Sequence, residues 1–407
     1  MSEIMRCPVQ NCLINSSYIT FNNFESEKFC VMFLKKLLLT NFKNYATAIF
    51  EFSPRINCFT GNNGVGKTNV LDAIHYISLT KSFFNIIDSN NIRHGCDFFI
   101  IEGIFVDNGN EDKIFCSFHR QKQKLFKKNG KEYRKLTEHV GKFPVVMVSP
   151  FDSALITEGS EERRKFMNKI ISQYDQIYLD SVLSYNKALQ QRNRLLKDYG
   201  KSGSFDPEVL SVYDLQLKKY GEYIYQCRLK LIEELVPVFN DYYAFISGEN
   251  EKVNLVYQSQ LSNKSFEELF SESLNKDLTL QYTTAGIHKD DLIFELESFP
   301  LKTQGSQGQQ KSFVVALKLA KFDYIRKKAG FAPVILLDDI FDKFDSERVE
   351  KIIKLVGNHR FGQIFITDTD MTRMKKILSD LNLDHRLFRI EKDDKIEMVS
   401  DLNNNVN

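Results

Sequence analysis

The sequence has no run of about 18 or more uninterrupted apolar residues, the length a membrane helix needs, so a membrane-spanning role is not expected. Its opening residues, MSEIMRCPVQNCLINSS, lack a charged segment followed by an apolar one and do not read as a secretory signal. A disulfide framework is not expected either, because the 7 cysteines are scattered and odd in number, which suits reduced thiols in the cytoplasm. Cys7 and Cys12 form one C-x4-C pair with no second Cys or His pair nearby, so zinc is not expected there. Nor is there a surplus of positive charge: 55 Lys and Arg face 53 Asp and Glu. Any contact with nucleic acid must therefore come from a local patch. Tryptophan, internal repeats and long low-complexity tracts are also absent.

What is present is an ordinary globular balance, 43% hydrophobic and 27% charged over 407 residues, enough for one large domain and one smaller one. The 34 Phe and 17 Tyr are expected to fill the core. Residues 1–31 are polar and aperiodic, whereas Met32 opens the regular pattern Phe-Leu-Lys-Lys-Leu-Leu-Leu. We read Met32 as the natural start and residues 1–31 as an upstream extension, with a floppy leader as the alternative.

Strand-like runs are expected at Phe33–Leu39, Ala48–Phe52, Ile56–Thr60, Phe98–Val106, Ile114–His119 and Val145–Val148. A helix is expected over Asn69–Leu79, and Asn129-Gly130 marks a hairpin turn. From Glu161 to about Ile246 the texture becomes helical, interrupted by Gly200–Ser204 and Asp206-Pro207, which reads as a pair of antiparallel helices. Strands are expected again near Val253–Tyr257, Leu278–Thr283 and Leu292–Leu296. Helix Gln309–Ala329, strand Val334–Leu337, helix Ser346–Val356 and strand Gln363–Thr367 complete an alternating α/β tail.

Gly61-Asn62-Asn63-Gly64-Val65-Gly66-Lys67-Thr68 fits G-x4-G-K-[ST] without mismatch, with a strand before it and a helix after. Glycines let backbone N–H groups wrap phosphates at a helix N-terminus. Lys67 is expected to reach the β- and γ-phosphates of ATP, and the Thr68 hydroxyl to ligate Mg2+. Val334-Ile335-Leu336-Leu337-Asp338-Asp339 is an apolar strand ending in two carboxylates. Asp338 is the expected magnesium residue and Asp339 the expected base for the attacking water. About 270 residues separate the two motifs, more than a compact nucleotide-binding fold needs, so an insertion must be looped out between two halves of one sheet.

Gln304-Gly305-Ser306-Gln307-Gly308-Gln309-Gln310-Lys311 by itself reads as a polar loop entering a helix. In its position before the Val334–Asp339 strand, the place of a Walker B element, it resembles the S-x-G-Q signature of ABC ATPases, with Ser306, Gly308 and Gln309 matching, and Phe341–Asp345 stands where such proteins carry a D-loop. The order of motifs implies an α/β fold: an ABC-type P-loop ATPase head with an inserted α-helical arm. Head halves are expected at residues 32–157 and 278–399, the arm at 158–277 and a tail at 400–407.

Further segments resemble the RecF family. They are Leu37–Tyr45, the paired Asn62-Asn63, Val146–Pro150 with Glu158–Ser160 and Glu162–Phe166, and Gly286-Ile287-His288-Lys289-Asp290-Asp291-Leu292, which is similar to G-P-H-R-D-D-L. The chain departs from the pattern at Ile287 and Lys289 and at Thr80-Lys81-Ser82-Phe83-Phe84. It has no Gln after Val148, leaving Asp152 or a backbone group as a substitute, and no switch His at Thr367–Asp370. The resemblance implies an ATP-dependent homodimer that holds duplex DNA near single-strand gaps and junctions, works with RecO and RecR to load RecA, and hydrolyses ATP slowly to let go. Lys122, Lys124, Lys127, Lys128, Lys131, Arg134, Arg163, Arg164, Arg192 and Arg194 are the basic residues that could meet DNA phosphates, or simply form a solvated face. The competing expectation is an ABC ATPase that serves another protein or a transport partner.

Overall fold

A computed structural model describes residues 32–202, 206–248, 251–340, 346–356, 361–392 and 394–402. The expected extension at 1–31, the D-loop at 341–345 and the end of the tail lie outside the described residues.

Six strands form the central sheet, in the order Ile396–Leu402, His385–Ile390, Ile56–Thr60, Ile364–Asp368, Val334–Leu337, Val145–Val148. All neighbours are parallel except the antiparallel pair at the Ile396–Leu402 edge. Parallel strands need helical crossovers that cover both faces, which explains the apolar runs of these segments. Alternation then sorts them between two cores: Ile335, Leu337, Ile364 and Ile366 face one way, Val334, Leu336, Phe365 and Phe388 the other.

The second of these cores is closed by a six-stranded antiparallel sheet, ordered Tyr45–Glu51, Phe33–Phe42, Phe98–Asp107, Asn110–His119, Leu125–Lys128, Lys131–Glu132. Between the two sheets lies helix Lys67–Leu79, almost wholly buried. Phenylalanines fill this layer; Phe52 stands edge-on to Phe365 at 4.8 Å between ring centres. The Asn129-Gly130 turn forms as expected, both residues having positive φ (51° and 81°), which a two-residue hairpin demands.

The inserted helices are Gln176–Ser202 and Pro207–Ser247. Asp206 caps the second, accepting from the Glu208 and Val209 amides, with Pro207 in the first turn, and Gly248 ends it at φ 66°. At 41 residues this helix is about 60 Å long. It belongs to both parts of the molecule. Its first half pairs with Gln176–Ser202, whereas its second half packs on helix Gln307–Ala329 through Phe239 against Phe313 (4.6 Å) and the Tyr242 hydroxyl donating to Asp323 (2.5 Å).

A three-stranded antiparallel sheet, Phe299–Pro300, Asp291–Leu296, Val253–Gln258, sits at the arm's base. The strand expected over Leu278–Thr283 is instead the end of helix Phe266–Leu280. Its start is fixed by a reciprocal cap between Ser265 and Glu268, and it runs through the expected boundary at 277 before Gln281 turns the chain at φ 60°.

Candidate nucleotide site

Strand Ile56–Thr60 is buried along its whole length and delivers the chain to the loop 61–66, which turns into helix Lys67–Leu79. The turn uses positive φ at Gly61 (148°), Gly64 (81°) and Gly66 (113°), conformations other residues adopt only with strain. Gly66 also leaves no room: a Cβ there would stand 2.4 Å from the Asn44 amide nitrogen. Asn44 holds the loop by donating to the Val65 carbonyl (2.9 Å), and the Tyr45 hydroxyl donates to the Gly66 carbonyl (3.1 Å). Asn62, Asn63 and Gly64 form the exposed crest, and Val65 is buried beneath it.

Lys67 is buried and folds its ammonium back onto the loop, donating to the Gly61 (2.8 Å) and Asn62 (3.1 Å) carbonyls. Thr68 Oγ1 donates to Asp338 Oδ1 at 2.8 Å, closing the sequence gap between the two motifs. This follows from strand order. Ile364–Asp368 lies between the other two strands, with Asp368 opposite Thr60 and Ile366 opposite Leu337, so all three end at one edge. In open α/β sheets that carboxyl edge is where ligands bind.

Thr367, on the middle strand, donates to Asp338 Oδ1 (2.9 Å) and accepts from the Asp339 amide (2.9 Å). Burial raises the Asp338 carboxyl to about 6; the Thr68 and Thr367 hydroxyls oppose the shift and the Asp339 charge adds to it. Asp339 has φ 44°, in the left-handed region, which turns the chain off the strand. A buried carboxylate beside a threonine hydroxyl at the mouth of a phosphate loop is an all-oxygen donor set that fits Mg2+, which binds through one or two carboxylates and substrate phosphates. Among the described residues there is no group of three or more His, Cys, Asp or Glu that could hold a metal, so a cation here would draw its remaining oxygens from bound phosphates and water.

Ser306 is the N-cap of helix Gln307–Ala329 and is exposed. It accepts from the Gln309 amide (3.2 Å) while its own amide donates to the Gln309 side chain (2.7 Å), so the segment is a capping box as well as an ABC-like signature. Gln309 also donates to Glu251, and Gly308 lies so close to Arg348 that a Cβ would stand 2.8 Å from Nη1. A long helix presenting an exposed, capped N-terminus can receive an anion from outside the chain.

Asp152 is engaged by its own segment and the signature helix. It accepts from the Ser149 amide (2.8 Å) and from the Lys318 ammonium (2.6 Å), pinning the segment after Val145–Val148 to the signature helix. In Thr367–Asp370, Asp368 takes two hydrogen bonds from Arg373 and Asp370 caps the following helix, so the segment fixes backbone where a switch His is absent.

Several of the basic residues named as candidates for DNA phosphates make contacts within the fold. Arg192 is fully buried and bound to Asp214, Asp277 and Thr283. Arg163 makes a bidentate pair with Asp291, and Arg164 donates to the Asp290 carbonyl. Lys124 donates to the Thr80 carbonyl and pairs with Asp88; Lys128 pairs with Asp112. Lys122, Lys131, Arg134 and Arg194 are exposed, and Lys127 is half-buried. Within Gly286–Leu292, Asp290 accepts from Arg228 (2.9 Å) and the Tyr257 hydroxyl (2.5 Å), while His288 is held by Tyr185 and the Thr283 carbonyl. Burial pushes His288 down to about 4. The motif ties the arm's base to the small sheet.

Sequence reasoning assigned no role to Asn44, Tyr45 or Thr367. Their only signal was position, in the opening segment that resembles the family and at the end of the strand after Walker B.

The RecF/RecN/SMC N-terminal domain family matches residues 33–394. The chain is 47% identical to the DNA replication and repair protein RecF of Phocaeicola vulgatus over 362 residues, 88% of this chain and 97% of that protein. It is 46% identical to that of Flavobacterium johnsoniae over 359 residues, 88% of this chain and 100% of that protein. A solved structure of the recombination mediator protein RecF-ATPrS in the RecFOR pathway superposes with a TM-score of 0.82 at 30% identity, covering 91% of this chain and 99% of that one. An Smc head domain with an extended coiled coil from Pyrococcus furiosus shares the fold alone, with a TM-score of 0.55 at 16% identity. Among the described residues no helix is long and apolar enough to cross a membrane. With the phosphate loop, the paired carboxylates and the capped signature helix all present on an ABC-type head, the chain belongs to the RecF family of ATPases in DNA replication and repair.

Proposed function

We propose that this protein is an ATP-gated DNA clamp whose slow hydrolysis acts as a release switch. The observation that carries it is the meeting of Thr68 and Asp338 at the phosphate loop while Ser306 stands exposed at its helix N-terminus. One chain then holds half of each nucleotide sandwich. ATP lies on residues Gly61–Thr68 of one subunit, and Ser306, Gly308 and Gln309 of a second copy close over its γ-phosphate. ADP lacks that phosphate, so the two nucleotides differ in the energy with which they hold the dimer.

The loop amides cradle the phosphates, and Lys67 exchanges its two carbonyl partners for β- and γ-phosphate oxygens. Thr68 and Asp338 would hold Mg2+, which would offset the charge on those oxygens. Asp339 orients a water and accepts its proton as the P–O bond to ADP breaks, giving ADP and inorganic phosphate. We place the head halves at 32–157 and, beyond the arm, 282–399. The arm insertion begins at 158, and its far boundary moves from 277 to the turn at Gln281, because helix Phe266–Leu280 crosses the former. RecR and RecO are the proposed protein partners, single-strand/duplex junctions the proposed DNA, and the cytoplasm the proposed location, in line with the buried free thiols Cys58 and Cys116.

The raised Asp338 carboxyl gives a pH test. Without metal, the stability it contributes is greatest below its ordinary 3.8 and is lost as pH rises through about 6. Mg2+ reverses the preference by favouring the carboxylate. Titrating nucleotide with and without Mg2+ across pH should show the magnesium enhancement shrinking by about tenfold per pH unit below 6. An enhancement independent of pH from about 7 to 5 would remove Asp338 from the metal site.

The clamp itself is tested by fluorescence anisotropy of a gapped duplex with ATP, ADP or no nucleotide, at two salt concentrations. Binding should require ATP and weaken with salt, since phosphate contacts release counterions. Equal binding with ADP would refute ATP gating, and no binding at all would remove DNA as direct partner.

A further inference from the structure

A cavity of about 530 Å3 lies behind the nucleotide site, bounded by the far end of helix Lys67–Leu79, the segment after Val145–Val148, helix Ser160–Ile171 and the middle of the signature helix. None of its lining residues belongs to the phosphate loop or to Asp338-Asp339. Its volume is that of a small-molecule pocket. Lys169, Lys318 and Lys321 converge on it. The ammonium groups of Lys169 and Lys318 stand 5.4 and 5.7 Å from the Phe83 ring centre, and that of Lys321 6.0 Å from Phe166.

The carboxylates present do not balance these charges. Asp152 is occupied by Lys318 (2.6 Å), and Glu162 with Glu161 by Lys165 (2.8 Å each). Glu158 lines the cavity but is exposed. Lys321 is only 5% exposed and makes no hydrogen bond or ion pair among the described residues; Asp152, which attracts it, is already taken by Lys318. A buried cation left so is costly unless something from outside completes it.

We propose that this cavity binds a small phosphate-bearing anion, held by Lys321, Lys169 and Lys318 and walled by Phe83, as a site separate from the ATP site. Without it, burial and the neighbouring Lys318 and Lys169 hold the Lys321 ammonium well below the usual lysine range; a doubly charged anion removes the repulsion and supplies the missing acceptor. Phosphate suits a cluster of separate ammonium groups, each a point charge needing no planar fork. Because Lys318 and Lys321 sit on the helix that Ser306 caps, an occupant would link that helix to helix Ser160–Ile171 at the root of the arm.

The test is calorimetric titration of inorganic pyrophosphate into the full chain carrying Lys67→Ala, which disables the ATP site. One binding event per chain is expected, weakened at least tenfold by Lys321→Met and also by Lys169→Gln. Lys321→Met keeps the stem's volume, and thermal unfolding checks its folding. Lys169 is exposed, so Lys169→Gln decides the matter alone if Lys321→Met fails to fold. No binding to the Lys67→Ala chain, or the same affinity in folded Lys169→Gln and Lys321→Met, overturns the proposal. Failure here leaves the ATP-gated clamp untouched, since neither residue touches its nucleotide.

Discussion

Asp339→Asn should bind ATP with the parent affinity and hydrolyse it at least about 100-fold more slowly, the usual contribution of a positioned general base. Asn is the right replacement because Asp339 sits at φ 44° and Asn is among the few residues that tolerate the left-handed region. Ala there would add roughly 1–2 kcal/mol of backbone strain and confuse the result. The change also keeps the backbone amide that donates to Thr367, so Asp338 and its hydroxyl partners stay in place. The variant should therefore accumulate as the ATP-bound dimer, visible by light scattering, and hold DNA after the parent protein has let go. Lys67→Ala should behave oppositely, losing nucleotide and with it the dimer. Single-turnover hydrolysis at the parent rate in Asp339→Asn would move the base to another residue.

These two positions could be named from sequence because their chemistry is local. A glycine loop followed by Lys and Thr, and an apolar strand ending in two Asp, carry their own backbone requirements wherever they fold. Position within the sheet was not local. That Thr367 touches Asp338 depends on Ile364–Asp368 threading between two strands, and nothing in Gln-Ile-Phe-Ile-Thr announces its neighbours. The same reason explains why the basic residues of the arm read ambiguously. Arg163 and Arg194 look alike in the chain, yet the first is clamped by Asp291, 128 residues away, and the second is exposed, with Asp198 4.0 Å away. The strand expected at Leu278–Thr283 failed because Leu278–Leu280 are the last turn of a helix capped at Ser265 and Gln281 then turns the chain, so the cap outweighs the propensity of a short apolar run. Phe83 and Phe84 appeared only as departures from a family pattern; in the fold they stack edge-on at 5.0 Å beside the lysine-lined cavity.

Removing Arg192 should be the most destructive single change in the arm. Its guanidinium joins three elements: Nε donates to Asp214 on helix Pro207–Ser247 (2.6 Å), and Nη1 to Asp277 on helix Phe266–Leu280 (2.6 Å) and to Thr283 beyond it (2.9 Å). The Phe270 ring lies beneath it at 5.0 Å. Asp277 is also fully buried, and among the described residues Arg192→Ala leaves its carboxylate with the Thr284 amide and hydroxyl. Breaking such a pair from one side costs about 3–5 kcal/mol, because the remaining charge stays desolvated. Replacing Arg192 by Met and Asp277 by Asn together should cost clearly less, since neither residue then carries a buried charge. The loss should be local at first. The phosphate loop shares no hydrogen bond with this cluster, so nucleotide binding should survive while backbone amides of Gln176–Ser202 and of the first half of Pro207–Ser247 lose protection in hydrogen exchange. Full protection of those helices in Arg192→Ala would mean that the arm is held by its apolar seam alone. Loss of nucleotide binding along with the arm would instead show that the long shared helix, which reaches Phe313 of the signature helix through Phe239, transmits arm unfolding into the head.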